Sequence, residues 1–229
     1  IQPPTPERVK YDIFDRVNRG GTRLTNQEMR NALYKGHSTV MLKDLAASSV
    51  FLNATGRGIS SKRMKDQYVI LRSIAFYLLK KKQHEVLEQN GDAIEYKSDI
   101  DDFLAKTMIF LNEKASKELL EDCKNTFYRA MDNCYNVLGR DAFRFDSESG
   151  NRRPINMPLF EVLMYVFSDN KLMEDVDYTK KEVENFKRKF DHQQMFSGNV
   201  DSTTNLNDRY DLAEELIKQI SDAIKTNNK

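Results

Sequence analysis

The segment from Asp15 to Glu28 carries the residues best placed to bind a phosphate group. Two adjacent glycines, Gly20 and Gly21, let the backbone approach a ligand closely, and a helix following them would present free N–H groups to an anion. Polar and cationic side chains surround the pair: Asn18, Thr22, Thr25, Arg16, Arg19, Arg23 and Arg30. The pattern suits a phosphate-binding elbow between two helices. It is also typical of an ordinary helix–helix turn followed by a Thr25-x-x-Glu28 capping box, which spacing alone favours.

The sequence lacks the residue motifs of several other common catalytic chemistries. The three histidines, His37, His84 and His192, have no second histidine at metal-ligand spacing, and no Cys-x-x-Cys occurs. The phosphate-binding P-loop, the dinucleotide-binding glycine motif and the serine-hydrolase elbow are also absent from the sequence. The acidic runs at 99–102 and 174–177 lie near predicted helix starts, where the helix dipole explains them. We therefore predict no metal site and nominate no catalytic residue.

The elements that must position the elbow are predicted to be helices. Nine glycines and five prolines in 229 residues are about 6%, against an average of about 12%, while charged residues reach 31%. This composition predicts an all-α fold, an irregular multi-helix bundle of about eight or nine helices. We expect one helical domain over 1–229, in which 1–36 carries the helix–Asn-Arg-Gly-Gly-Thr–helix elbow and 37–229 forms the bundle.

Apolar spacing and capping residues give approximate helix bounds. The predicted helices are 7–19, 25–36, 38–50, 62–82, 98–111, 116–138, 159–167, 179–190 and 208–225. Helix 62–82 is apolar on most sides and is expected to be central, and a second capping box is predicted at Thr179–Glu182. Helix 116–138 has the most regular pattern and carries Cys123 and Cys134, about 16 Å apart and beyond disulfide reach.

Composition and the chain start limit the cellular context. The net charge of +1 gives no global attraction to nucleic acid or acidic membranes, and no apolar run reaches the roughly 18 residues of a membrane helix. Two core thiols are typical of a reducing compartment. We expect a cytoplasmic protein without membrane contact. The start at Ile1 is neither a signal peptide nor an initiator methionine, which favours a piece of a longer protein.

Residues 11–32 resemble the signature F-x-x-hydrophobic-N-R-G-G-T-x-L-x-x-Q-E-hydrophobic-R-N of the GmrSD-type N-terminal domain family. Here the segment reads Y-D-I-F-D-R-V-N-R-G-G-T-R-L-T-N-Q-E-M-R-N-A. The resemblance covers most of the chain and is strongest over 8–36. Later segments that are similar to the family are Lys62–Asp66, Val69–Arg72 and Phe196-Ser197-Gly198 with Arg209.

The resemblance implies a ParB/sulfiredoxin-like fold with an α/β nucleotide-binding first half and a helical second half. Family members bind and hydrolyse nucleoside triphosphates and act in bacterial restriction of modified or phage DNA, often with a nuclease subunit or domain. The family's Asp-Gly-Gln-Gln-Arg motif, which supplies part of the phosphate site, does not occur in this sequence. The resemblance therefore implies that this chain is the helical half, and that a nucleoside triphosphate with Mg²⁺ binds to the intact protein, no cofactor being encoded by this chain alone.

The family's site residues are carried over by position. The resemblance implies that the nucleotide- or phosphate-binding residues are Asn18, Arg19, Gly20, Gly21, Thr22 and Arg23, supported by Glu28 and Arg30. Related ParB clamps have a hydrolytic glutamate before the equivalent asparagine, where this sequence has Val17, so the catalytic residue stays unassigned.

An alternative hypothesis is a non-catalytic helical module that docks a partner subunit or DNA. Residues 180–189 carry five basic side chains against two acidic ones. Four arginines flank the polar loop 140–155: Arg140, Arg144, Arg152 and Arg153. A solvated face is the usual explanation of such charge runs; a DNA site would instead bind less tightly as salt rises.

Overall fold

Helices account for the regular structure of the residues that the computed structural model describes, 23–82, 94–147 and 150–227. These ranges contain ten α-helices and no strand, so the predicted all-α fold is confirmed. The number exceeds eight or nine because predicted helix 38–50 is divided at Ser48 and a short helix forms at 194–197. Predicted helix 7–19 lies outside the described residues.

The helices are numbered in chain order. They are α1 Asn26–Leu33, α2 His37–Ala47, α3 Ser49–Ala54, α4 Lys65–Lys80, α5 Ile100–Glu113, α6 Lys117–Leu138, α7 Met157–Val166, α8 Val176–Phe190, α9 Gln194–Ser197 and α10 Thr203–Asn227. Three short 3₁₀ helices lie at Lys62–Met64, Gly139–Asp141 and Asn170–Glu174.

Several helix ends lie where the local sequence predicts them. The capping box of α1 is present, because the Thr25 hydroxyl accepts a hydrogen bond from the Glu28 N–H and the Glu28 carboxylate accepts one from the Thr25 N–H. The long helix α6 is capped by Ser116 and ends at Gly139, whose φ of 69° is easy for glycine. These ends are encoded within a few residues of the chain.

The predicted capping box at Thr179–Glu182 is wrong. Helix α8 begins at Val176, and the carboxylate of Asp175 caps it by accepting from the Tyr178 N–H at 3.0 Å. Thr179 is fully buried inside the helix, where its hydroxyl donates to the Leu172 carbonyl oxygen at 2.6 Å. Serine is a common capping residue, but Ser38 does not cap α2: Gly36 is the N-cap of this helix, and Ser38 is buried inside it.

The core lies around α4 and α7. The middle of α4 is buried as predicted, and every residue of α7 from Pro158 to Val166 is buried. Helix α7 packs against α4, α6, α9 and α10. Cys123 and Cys134 are both buried free thiols on α6, as expected, and burial raises the pKa of Cys123 to about 12. Within the described ranges, no helix combines the length and apolar character that a membrane span requires.

A buried ion cluster joins three of these helices. The Glu161 carboxylate on α7 accepts from Arg72 Nε on α4 at 2.5 Å and from Arg209 Nη2 on α10 at 3.0 Å. Glu161 and Arg209 are fully buried and Arg72 is 1% exposed. Arg72 also donates to Asp201 at 2.7 Å, so each cation has an anionic partner. Burial has the largest single effect and would lower the pKa of Arg72, but the charge of Glu161, the nearby Tyr68 and the hydrogen bonds to Asp201 and Glu161 together outweigh it, so the pKa is raised.

We predict that Glu161→Gln destabilises the chain by about 3–5 kcal/mol, because a neutral amide leaves two buried guanidinium groups without their shared anion. Urea denaturation followed by circular dichroism measures the change. The matched control is Glu121→Gln, since Glu121 is exposed and paired with Lys124 on the surface of α6. It should cost less than about 1 kcal/mol. Equal, small losses in both variants would show that the buried cluster does not stabilise the fold.

Candidate functional site

The residues predicted to bind phosphate are only partly within the described structure. Asn18, Arg19, Gly20, Gly21 and Thr22 lie outside the described residues. Arg23 is described and exposed, while Glu28 is half-buried and Arg30 is fully buried. The described part of the candidate site therefore begins at Arg23, directly after the elbow.

The segment after the elbow is fixed against the Lys62–Met64 turn. The Arg63 guanidinium donates to the Glu28 carboxylate at 3.1 and 3.3 Å and also to the Arg23 carbonyl oxygen. In return, the Thr25 hydroxyl donates to the Arg63 carbonyl oxygen at 3.1 Å. Glu28 thus has a second function besides the predicted capping, because it also ties α1 to a turn 35 residues away.

The turn itself has an unusual backbone. Arg63 and Met64 have φ values of 57° and 58°, in the left-handed region that costs a non-glycine residue free energy. The bonds from Arg63 to Glu28 and Arg23 hold this conformation. The turn directs Lys62 and Lys65 to the same cavity that the first turn of α1 lines.

Arg30 is the buried cation of this region. Its Nε donates to Gln27 Oε1 at 3.0 Å, and its Nη1 donates to Asp101 Oδ1 at 2.7 Å. Its Nη2 is buried and has no hydrogen-bond partner among the described residues. Because a buried N–H without an acceptor costs free energy, this nitrogen is a donor available to a ligand oxygen. Arg30 was predicted only as support for the elbow.

A cavity of about 610 Å³ opens at this point. Four cations, Arg30, Lys62, Arg63 and Lys65, line it together with one carboxylate, Asp101. The N-terminus of α1 also faces it through residues 25–27, and the helix dipole adds to the positive potential. The cavity is therefore suited to an anion with several oxygen acceptors.

Apolar and aromatic side chains also line the cavity. Tyr68, Ile100 and Met157 line it, and the Arg30 guanidinium lies 5.5 Å from the centre of the Tyr68 ring. An aromatic ring beside cationic groups can accommodate a planar, partly charged molecule. A second cavity, of about 700 Å³, is lined by residues at 33–40 and 109–113 and includes none of the predicted site residues.

Asp101 organises the cationic wall. One carboxylate oxygen accepts from Arg30, and the other accepts from the Asn26 side chain at 2.6 Å. The sequence pattern explained Asp101 only as an acidic residue in the first turn of a helix, and its partners lie 71 and 75 residues away. Sequence reasoning missed this pairing because no local pattern signals it.

The described residues were compared with the requirements of a metal site. In the described part of the chain, no three His, Cys, Asp or Glu side chains converge in a way that could hold a metal ion. The carboxylate of Asp101 is already paired with Arg30. What this arrangement can do chemically is bind and orient an anion.

The basic segments considered for DNA docking are partly neutralised. Arg153 is paired with Asp191, and Arg152 with Asp141. In the run 180–189, Lys187 is only 6% exposed, and burial lowers its pKa. Phe143 and Phe145, in the loop 140–155, are buried. The run 180–189 therefore presents fewer free charges than its composition indicates.

We predict that Glu28→Gln lowers stability at pH 7 by about 0.5–1 kcal/mol, the usual value of a cap interaction. The Thr25 N–H, followed by Arg63, lowers the pKa of Glu28 below its ordinary value of 4.5. Folding thus favours the carboxylate, so its contribution is present above about pH 4.5 and is lost as the pH falls through the lowered pKa.

Thermal unfolding of wild type and variant between about pH 7 and pH 3 measures this effect. The difference in Tm between wild type and Glu28→Gln should become smaller as the pH falls. Glu174→Gln, which neutralises an exposed carboxylate, controls for the change in net charge. A gap that stays constant across the whole pH range would contradict the assigned bonds of Glu28.

Comparisons of the chain with protein-family models, with curated proteins and with solved structures give no match. The resemblance of residues 11–32 to the GmrSD-type signature therefore rests on the residues themselves.

Proposed function

We propose that this chain binds the phosphate groups of a nucleoside triphosphate in the cavity beside α1, and that the elbow residues Asn18–Thr22 contribute to the binding. In this proposal the chain is the helical half of a ParB/sulfiredoxin-like protein of the GmrSD type, which acts in bacterial restriction or phage defence. The observation that carries the proposal is that Arg30, a residue lining the cavity, has a buried Nη2 without a hydrogen-bond partner among the described residues.

The composition of the cavity walls supports a nucleotide rather than a simple anion. Arg30, Lys62 and Lys65 offer charge-assisted hydrogen bonds to phosphate oxygens. Tyr68 and Ile100 offer an apolar surface for a base or sugar. A volume of about 610 Å³ lies within the usual range of small-molecule and cofactor sites.

Mg²⁺ would enter with the nucleotide. Magnesium keeps several water ligands and is commonly held by substrate phosphates with only one or two carboxylates, so a dedicated cage of protein ligands is not required. The proposal covers binding and assigns no hydrolytic residue. In the proposed intact protein, an α/β half supplies the remaining phosphate contacts, and a nuclease subunit or domain uses the bound state.

The test is fluorescence titration of the full chain with an N-methylanthraniloyl derivative of ATP or GTP in the presence of Mg²⁺. Lys62→Gln/Lys65→Gln is expected to weaken the affinity about fivefold, because two exposed ion pairs to phosphate are together worth about 1 kcal/mol. Both lysines are exposed, so the double variant should fold normally. Asn18→Ala/Arg19→Ala should weaken binding as well.

The matched control is Lys180→Gln/Lys181→Gln, which removes the same charge from an exposed part of α8. It should leave the affinity within about twofold of wild type. Equal affinities in all variants would remove both the cavity and the elbow from the site. Lack of saturable binding up to about 1 mM nucleotide would overturn the proposal.

A further inference from the structure

A second cationic region lies outside the cavity, where the turn after α3 meets the loop after α6. The turn contains Gly56-Arg57-Gly58. A Cβ atom on Gly56 would collide with the Arg152 guanidinium, and one on Gly58 would collide with the Arg144 guanidinium. Because glycine has no Cβ atom, these two positions leave room for the guanidinium groups of Arg144 and Arg152. The three-residue turn and the loop arginines form one surface.

Three arginines of the loop share one carboxylate. Arg152 donates to Asp141, Arg144 Nε lies 3.2 Å from it, and Arg140 Nε lies 4.0 Å from it. Burial, followed by the charge of Arg152, lowers the pKa of Arg144. Arg57, exposed and flanked by the two glycines, adds a fourth cation. We call Arg57, Arg140, Arg144 and Arg152 the arginine surface. The four arginines and Asp141 together carry a net charge of +3.

Two of the loop guanidinium groups, those of Arg144 and Arg152, are also held in place by backbone carbonyl oxygens. Arg152 Nη2 donates to the Arg140 carbonyl oxygen at 2.9 Å, and Arg144 Nη1 donates to the Arg153 carbonyl oxygen. Fixed arginines lose little conformational entropy on binding, and their planar geometry matches phosphate oxygens. This arrangement differs from a solvated run of flexible charges.

We propose that the arginine surface binds the phosphodiester backbone of a nucleic acid. Arg140 and Arg152 have side chains that are 75% and 39% exposed, so an extended ligand lying across the surface can reach them. Three unbalanced charges on two separate chain segments fit a polyanion with regularly spaced phosphates better than one small anion. The contacts address the backbone, so the binding is independent of base sequence. The inference does not depend on nucleotide binding in the cavity.

The experiment is fluorescence anisotropy of a labelled duplex of about 20 base pairs, titrated with the full chain between about 50 and 200 mM salt. Arg57→Gln/Arg140→Gln removes two exposed cations of the arginine surface. The Kd should rise about tenfold, and the slope of log affinity against log salt should become less steep by about two, because each lost phosphate contact releases about one counterion fewer.

The control is Lys114→Gln/Lys117→Gln, the same charge change among exposed residues at the opposite end of α6, about 33 Å from Gly139. It should keep the slope of wild type. An unchanged Tm of Arg57→Gln/Arg140→Gln excludes unfolding as the cause of weaker binding. The same variant should bind the fluorescent nucleotide as wild type does, which separates this surface from the cavity.

Three results would overturn the inference. The first is that no duplex binding occurs at about 50 mM salt, and the second is that the variant and the control have equal salt slopes. The third is that inorganic phosphate displaces the duplex when its concentration equals that of the phosphate groups of the duplex. The last result would assign the surface to a small free anion.

Discussion

The fold depends on one buried carboxylate, Glu161, placed between Arg72 and Arg209. These residues come from three helices and are separated by 89 and 48 residues in the sequence. An unpaired charge at such depth would cost several kcal/mol, so α4, α7 and α10 must keep one relative position for all three groups to be paired. The cluster also reaches the cavity: Arg72 Nη1 donates to the Tyr68 hydroxyl at 3.2 Å, and Tyr68 forms part of the cavity wall.

The sequence predicts the parts of this fold that short segments determine. Ser116 and Gly139 fix the ends of α6, and the apolar stripe between them fixes its buried face. Thr179 shows the limit, because two residues could cap the same helix and the choice of Asp175 depends on the burial of Thr179 against Leu172. At the candidate site, the motif predicted Arg30 as support, but Asp101, the partner that orients it, lies 71 residues away and has no local signal.

Charge is distributed unevenly although the chain is almost neutral overall. The formal net charge is +1, yet cations outnumber anions both in the cavity wall and at the arginine surface. In the cavity, one cation is buried and aromatic and aliphatic side chains are close by, which suits a small molecule enclosed on several sides. At the arginine surface the cations are mostly exposed, which suits a larger partner. Arginine thus occurs in two environments whose proposed ligands differ in size.

The burial of Cys123 and Cys134 has a practical consequence for the study of motion in this protein. Only the thiolate reacts with alkylating reagents, and both thiols are at most 1% exposed, while burial raises the pKa of each. Alkylation under native conditions therefore reports the opening of α6 rather than its surface chemistry. A cysteine introduced at an exposed position would be labelled first, so probes can be attached without replacing either native thiol.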